Sequence, residues 1–157
     1  MEQRKADHIS MALQSQMKPE DHDGRFHYEP LLQAHPVRDL PPVKFLGKQL
    51  KVPLWVSSMT GGTGVARNIN ENLARACREF GMGMGLGSCR SLLDGDAHIG
   101  DFALRNLIGD DLPLYANLGI SQVEQMIHSN RVMKIHDLVS KLNADGLIIH
   151  VNPLQEW

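Results

Sequence analysis

The sequence predicts an α/β fold built on parallel strands, and two observations carry that expectation. Four apolar, strand-like runs recur at about the thirty-residue step of a βαβ unit: VPLWVSSM (52–59), MGMGLGS (82–88), PLYANLG (113–119) and DGLIIHV (145–151). Between them lie stretches whose apolar residues repeat at helical intervals. A helix between consecutive strands returns the chain to the same edge, so the strands pair in parallel.

Each element has a local reason. In residues 4–15, Ile9, Ala12 and Leu13 share one helical stripe behind the charges of Arg4, Lys5 and Asp7, which predicts a short helix. Residues 16–43 carry Pro19, Pro30, Pro36, Pro41 and Pro42 among polar residues and read as an irregular arm. VKFLGKQLKV (43–52) reads as a hairpin turning at Gly47. Residues 1–51 thus form an N-terminal helix, arm and hairpin, distinct from the strand–helix repeat of 52–157. After the first run, Ile69, Leu73, Ala76, Cys77 and Phe80 recur at helical spacing, and Gly81 follows as a stop. The segment 101–108 reads as a shorter helix. After the third run, Ser121 and Glu124 make a capping-box pattern, and Ile135, Leu138, Val139 and Leu142 make a later stripe. Four strands in this length suit an open doubly wound sheet better than a (β/α)8 barrel, whose usual size is about 250 residues.

Composition narrows the function classes. With 157 residues, 42% of them hydrophobic and 22% charged, the chain has the make-up of a globular domain, not of a disordered one. A net charge of −2 gives no broad attraction to polyanions, so neither nucleic acid nor an anionic membrane is an expected partner. Two cysteines build no disulfide framework and match no zinc spacing. The charged start lacks a signal peptide's apolar core, and no apolar run approaches the roughly 18 residues of a membrane span, so the cytoplasm is the expected location.

In parallel α/β folds chemistry gathers at the carboxyl ends of the strands. There the sequence places Ser57-Ser58-Met59-Thr60-Gly61-Gly62, Gly87-Ser88-Cys89-Arg90, Asn117-Leu118-Gly119 and His150-Val151-Asn152-Pro153-Leu154-Gln155-Glu156. Gly61, Gly62 and Gly64 suit either a backbone that approaches a phosphorylated ligand or a tight strand-to-helix turn; neither GxGxxG nor GxxxxGK[ST] is present to decide. Arg90 suits a phosphate clamp or an ion pair at the rim. The last cluster offers an imidazole, two amides and a carboxylate, a set that suits a hard cation such as Mg²⁺ shared with a bound phosphate, while the plainer reading is a hydrogen-bonded His150 and a solvated Glu156. His22, His27, His35 and His98 lack ligand spacing and are expected at the surface.

Taken together, these strand ends resemble one family. Arg4-Lys5-Ala6-Asp7-His8-Ile9, Ser58-Met59-Thr60-Gly61-Gly62, Gly85-Leu86-Gly87-Ser88-Cys89-Arg90, Ala116-Asn117-Leu118-Gly119 and the His150–Glu156 cluster are similar, in order, to motifs of the type 2 isopentenyl-diphosphate Δ-isomerases, flavin-dependent enzymes of isoprenoid synthesis. The resemblance implies a TIM barrel of which this chain carries the N-terminal arm and about four βα units, the N-terminal half. It implies interconversion of isopentenyl and dimethylallyl diphosphate with reduced FMN and Mg²⁺, NADPH serving to reduce the flavin. By the same resemblance Ser58, Met59, Thr60, Ser88 and Asn117 would bind FMN. Arg4, Lys5, His8, Arg90, His150, Asn152 and Gln155 would line the substrate side, with Gln155 near the carbon whose proton moves, and Glu156 would ligate Mg²⁺. A homo-oligomer is expected, a tetramer or octamer for the full-length family. The alternatives are another FMN-dependent barrel oxidoreductase, or an inactive half-barrel that only oligomerises through its unpaired strand edges.

Overall fold

The computed structural model describes residues 7, 9–11, 14, 24–25, 41–58, 60–63 and 65–152. The chain divides into two units, Met1–Leu40 and Pro41–Trp157. In the first, Asp7, Ile9, Ser10, Met11 and Gln14 are helical, as the apolar stripe predicts, and Gln14 Nε2 donates to Ser10 Oγ one turn back at 3.2 Å. Ala12, Leu13 and nearly all of the expected arm lie outside the described residues.

The second unit opens with the predicted hairpin, β1 (Val43–Phe45) antiparallel to β2 (Lys48–Leu50). Its two turn residues, Leu46 and Gly47, both have positive φ, 48° and 83°, the type I′ geometry that matches the twist of the strands. Then come β3 (Trp55–Val56), α1 (Ala66–Phe80), β4 (Gly83–Gly85), α2 (Arg105–Ile108), β5 (Leu114–Gly119), α3 (Ile120–His128), α4 (Met133–Lys141) and β6 (Gly146–His150). Strands β3, β4, β5 and β6 form one parallel sheet in that order. A doubly wound sheet requires a reversal of strand order, and these four strands have none. Successive neighbours in chain order are instead how a barrel wall is laid down.

Alternation along the strands makes two different faces. Met84, Leu86, Leu114, Ala116 and Leu118 share one buried core with Ala74 and Cys77 of α1, Ile108 of α2, Val123 of α3 and Leu138 of α4. The opposite face of β4 is glycine at 83, 85 and 87, and that absence of side chains is filled from the neighbours. A Cβ on Gly83 would lie 2.1 Å from the Trp55 ring, and one on Gly85 2.8 Å from Ile148 Cδ1. Trp55 and Tyr115 meet across this strip with ring centroids 5.9 Å apart. Within the Gly-Met-Gly-Met-Gly-Leu-Gly run, β4 thus has one packed face and one face kept low for its neighbours.

Two helix expectations shift in phase. In α1 the buried residues are Ala66, Asn70, Ala74 and Cys77, whereas Phe80 is 56% exposed. Small residues face the core here, and the larger Ile69 and Leu73 are only half-buried at its flank. Gly81 ends the helix as expected, at φ 69° with its N–H bonded to Cys77 O. The cap of α3 lies two residues before the predicted Ser121: Gly119 N donates to Gln122 Oε1 at 3.0 Å. Asn130 and Asn143, both at positive φ, follow α3 and α4 as left-handed stops.

The amino ends of the strands are tied by Asp145. Lys48 Nζ lies 2.6 Å from Asp145 Oδ1, while Arg105 Nη2 and the Leu114 N–H donate to Oδ2 at 2.8 and 2.9 Å. Arg105 also donates to the carbonyls of Asn143, Gly109 and Leu112, and Lys48 to those of Asp110 and Leu112. Burial opposes ionisation of Asp145, but Lys48, the Leu114 amide and Arg105 together outweigh it and hold the carboxyl below its ordinary range. Asp145→Asn is expected to cost roughly 2 kcal/mol at neutral pH, read from the urea midpoint. A depressed folded pKa stabilises above the unfolded value near ~4 and loses that contribution as pH falls through the folded value, so wild type and variant should converge in acid below it.

Candidate functional site

Because the four strands are parallel, their carboxyl ends lie on one side of the sheet. The sequence-predicted residues among them are Ser58, Thr60, Ser88, Asn117, His150 and Asn152. Asn117 stands beside Ile148 in the register and His150 beside Gly119, on the same face as Tyr115. Gly119 has no side chain, which leaves the diagonal open, and His150 Nδ1 lies 2.7 Å from Asn117 Oδ1. An amide oxygen only accepts, so this pairing assigns the proton to Nδ1 and, in the neutral ring, the lone pair to Nε2. Asn117 itself is buried, with its oxygen engaged, so its remaining polar capacity is the N–H donors of Nδ2. Ser58 reaches the same face, its Oγ 2.7 Å from where a Cβ on Gly85 would stand.

The described part of the glycine loop is a tight turn with two of its amides already used. Asp101 Oδ2 accepts from Gly62 N at 2.8 Å and from Thr63 N at 3.2 Å, and Gly62 has φ 72°. Asn70 Nδ2 bridges Thr60 O and Asp101 O at 3.2 and 2.8 Å. On the other side a Cβ on Gly87 would lie 2.2 Å from Thr60 O, so the loop rests directly on the end of β4. Thr60 and Thr63 are 5% and 4% exposed, and their hydroxyls are buried without a hydrogen-bond partner. Asp101, Asn70 and Thr63 were invisible to motif reading, because their partners are set by contacts 10 to 39 residues away in the chain.

Arg90 begins a 3-10 turn (Arg90–Leu92) directly after the β4 motif and is exposed, while Ser88 is half-buried. Cys77 is buried, which pushes its thiol up to about 11 and keeps it protonated at neutral pH. His98, expected at the surface, is half-buried; His22, His27 and His35 lie outside the described residues. So do Arg4, Lys5, His8, Met59, Gln155 and Glu156. Among the described residues no group of three or more His, Cys, Asp or Glu side chains is placed to hold a metal ion, and no helix is long and apolar enough to cross a membrane. Asn117→Ala removes the acceptor that fixes the His150 tautomer. The variant is expected to shift the ring several-fold toward the Nε2–H form, read from its imidazole ¹⁵N shifts, with a loss of about 1 kcal/mol in stability.

No protein-family model matches the chain. Curated relatives do. The chain is 39% identical over 158 residues to a protein of Rickettsia rickettsii (strain Sheila Smith) named isopentenyl-diphosphate delta-isomerase, covering 98% of this chain and 45% of the relative. It is 46% identical over 112 residues to a protein of that name from Rickettsia akari (strain Hartford), and 44% over 112 residues to one from Oceanobacillus iheyensis, each covering 71% of this chain. The chain is therefore similar along nearly all of its own length to proteins named isopentenyl-diphosphate delta-isomerase, and spans less than half of theirs.

Proposed function

We propose that this chain is the N-terminal half of a type 2, FMN-dependent isopentenyl-diphosphate delta-isomerase, and that its four strands are the first half of a TIM barrel. The observation that carries the reading is the 39% identity over 98% of the chain to proteins of that name, together with polar motifs at all four strand ends. The unreversed strand order supports the barrel.

Three features support a flavin at these strand ends. The exits of the four parallel strands carry small and polar groups, Ser58, Ser88 and Asn117 among them; Asn117 has amide donors; and the Thr60 hydroxyl is buried and unpaired, a state that costs about 1–3 kcal/mol until a partner arrives. Ser58, Met59, Thr60, Ser88 and Asn117 would hold it. When bound, reduced FMN, with NADPH as its reductant, would supply the proton-transfer chemistry needed to move a double bond between unactivated carbons. One carboxylate, Glu156, with diphosphate oxygens makes a donor set suited to Mg²⁺.

The chain's own residues bind and orient. Arg90 would offer charge that anchors a diphosphate, so that it is held and not expelled, and the family resemblance gives Arg4 and Lys5 the same role. His150, held to Asn117 through Nδ1, would line the substrate side. Asn152 would add a neutral amide on the substrate side, and Gln155 would stand near the carbon whose proton moves, orienting it without being a strong base itself. The cytoplasm and a homo-oligomer complete the proposal.

The test is deuterium exchange into isopentenyl diphosphate in the presence of FMN, Mg²⁺ and NADPH. Exchange with formation of dimethylallyl diphosphate is expected from protein at its natural length. Its absence from a flavin-loaded preparation whose intact mass includes the complementary half would overturn the proposal. His150→Ala is expected to lower kcat/KM at least tenfold while leaving the flavin bound.

A further inference from the structure

Resting on the flavin reading above, we infer that Asp101 is a positioning residue that sets the Thr60–Thr63 loop for the flavin and takes the Gly62 and Thr63 amides away from phosphate binding. Two backbone donors, Gly62 N and Thr63 N, converge on one oxygen of Asp101, which itself is buried. They lie just ahead of α1, where the helix end favours an anion. A carboxylate from a turn some forty residues downstream already occupies the place a ligand phosphate would take. The ligand's phosphate must then be held by groups outside this loop.

The carboxylate does not act alone. Asn70, buried on α1, joins Asp101 O to Thr60 O through one amide, so the anion and the loop backbone share a common tether. Gly61 packs on Phe102, the next residue after Asp101: a Cβ on Gly61 would lie 2.1 Å from that ring. The loop is held from the α1 side, from the Asp101 turn and from Gly87 below it. What it retains unpaired are the buried hydroxyls of Thr60 and Thr63. The loop thus serves the flavin through side chains on a backbone fixed in advance, the arrangement that reduces the ordering cost of binding.

The experiment compares the full-length wild-type protein with Asp101→Ala and Asp101→Asn, measuring FMN affinity by flavin fluorescence and hydrogen exchange at the Gly62 and Thr63 amides. Asp101→Ala is expected to weaken FMN binding about 10- to 100-fold and to speed exchange at both amides. Asp101→Asn, whose amide oxygen can still accept both N–H groups, is expected to restore most of the affinity and protection. Wild-type affinity in Asp101→Ala, or weakened binding with exchange at the two amides unchanged, would overturn the inference. If Asp101→Ala does not fold, Asp101→Ser, whose side chain is too short to reach both amides, is read in its place: weaker FMN binding with faster exchange at both amides supports the inference, and wild-type affinity or unchanged exchange overturns it. A wild-type protein that takes up no FMN overturns the flavin reading and this inference with it, whereas uptake unaffected by the variants overturns the inference alone.

Discussion

The parallel sheet depends on the Asp145 carboxylate. One oxygen takes the Lys48 ammonium of the hairpin, and the other takes Arg105 of α2 and the first backbone N–H of β5. Asp145 N in turn donates to Leu114 O at 2.8 Å, so the entry to β6 is locked to the entry to β5 by both main chain and side chain. Arg105, with a side chain only 10% exposed, spends its remaining donors on loop carbonyls that burial would otherwise leave unpaired. Partly buried charges of this kind are stabilising only as a complete set, because removing one member leaves the others desolvated and unmatched.

A second carboxylate does comparable work at the opposite end of the sheet. Asp101 holds the loop after β3 as Asp145 holds the entries to β5 and β6, and in both cases a side chain from one connection satisfies backbone groups of another. The consequence is a division of labour. The entries to β5 and β6 are closed by ion pairs, and strand exits keep small and neutral polar groups such as Ser58, Thr60, Ser88 and Asn117. Between the two ends, glycines on β4 let Trp55 and Tyr115 cover the face from which Asn117 and His150 project.

Much of this was legible in the residues. The four strands, the hairpin turning at Gly47 and the stop at Gly81 follow from apolar runs, helical spacing and glycine's tolerance of positive φ, all of which are local. The phase of α1 was not, because its inward face is made of Ala66, Asn70, Ala74 and Cys77. A helix pressed closely on a core selects small residues there, and hydrophobicity alone points to Ile69, Leu73 and Phe80 instead. The cap of α3 was misplaced for a similar reason: the Ser121–Glu124 pattern is correct in type, yet Gln122 folds back on Gly119 first.

The sequence by itself determined the fold class, the strand ends and the residue types gathered there, since each follows from neighbours a few positions apart. Only the tertiary structure decided how those ends are used. Strand order runs straight through without reversal, Asn117 pairs with His150 across a gap left by Gly119, and two amides of the glycine loop go to Asp101. Each of these depends on which distant segments become neighbours, and that is a property of the packed sheet, which no spacing along the chain encodes.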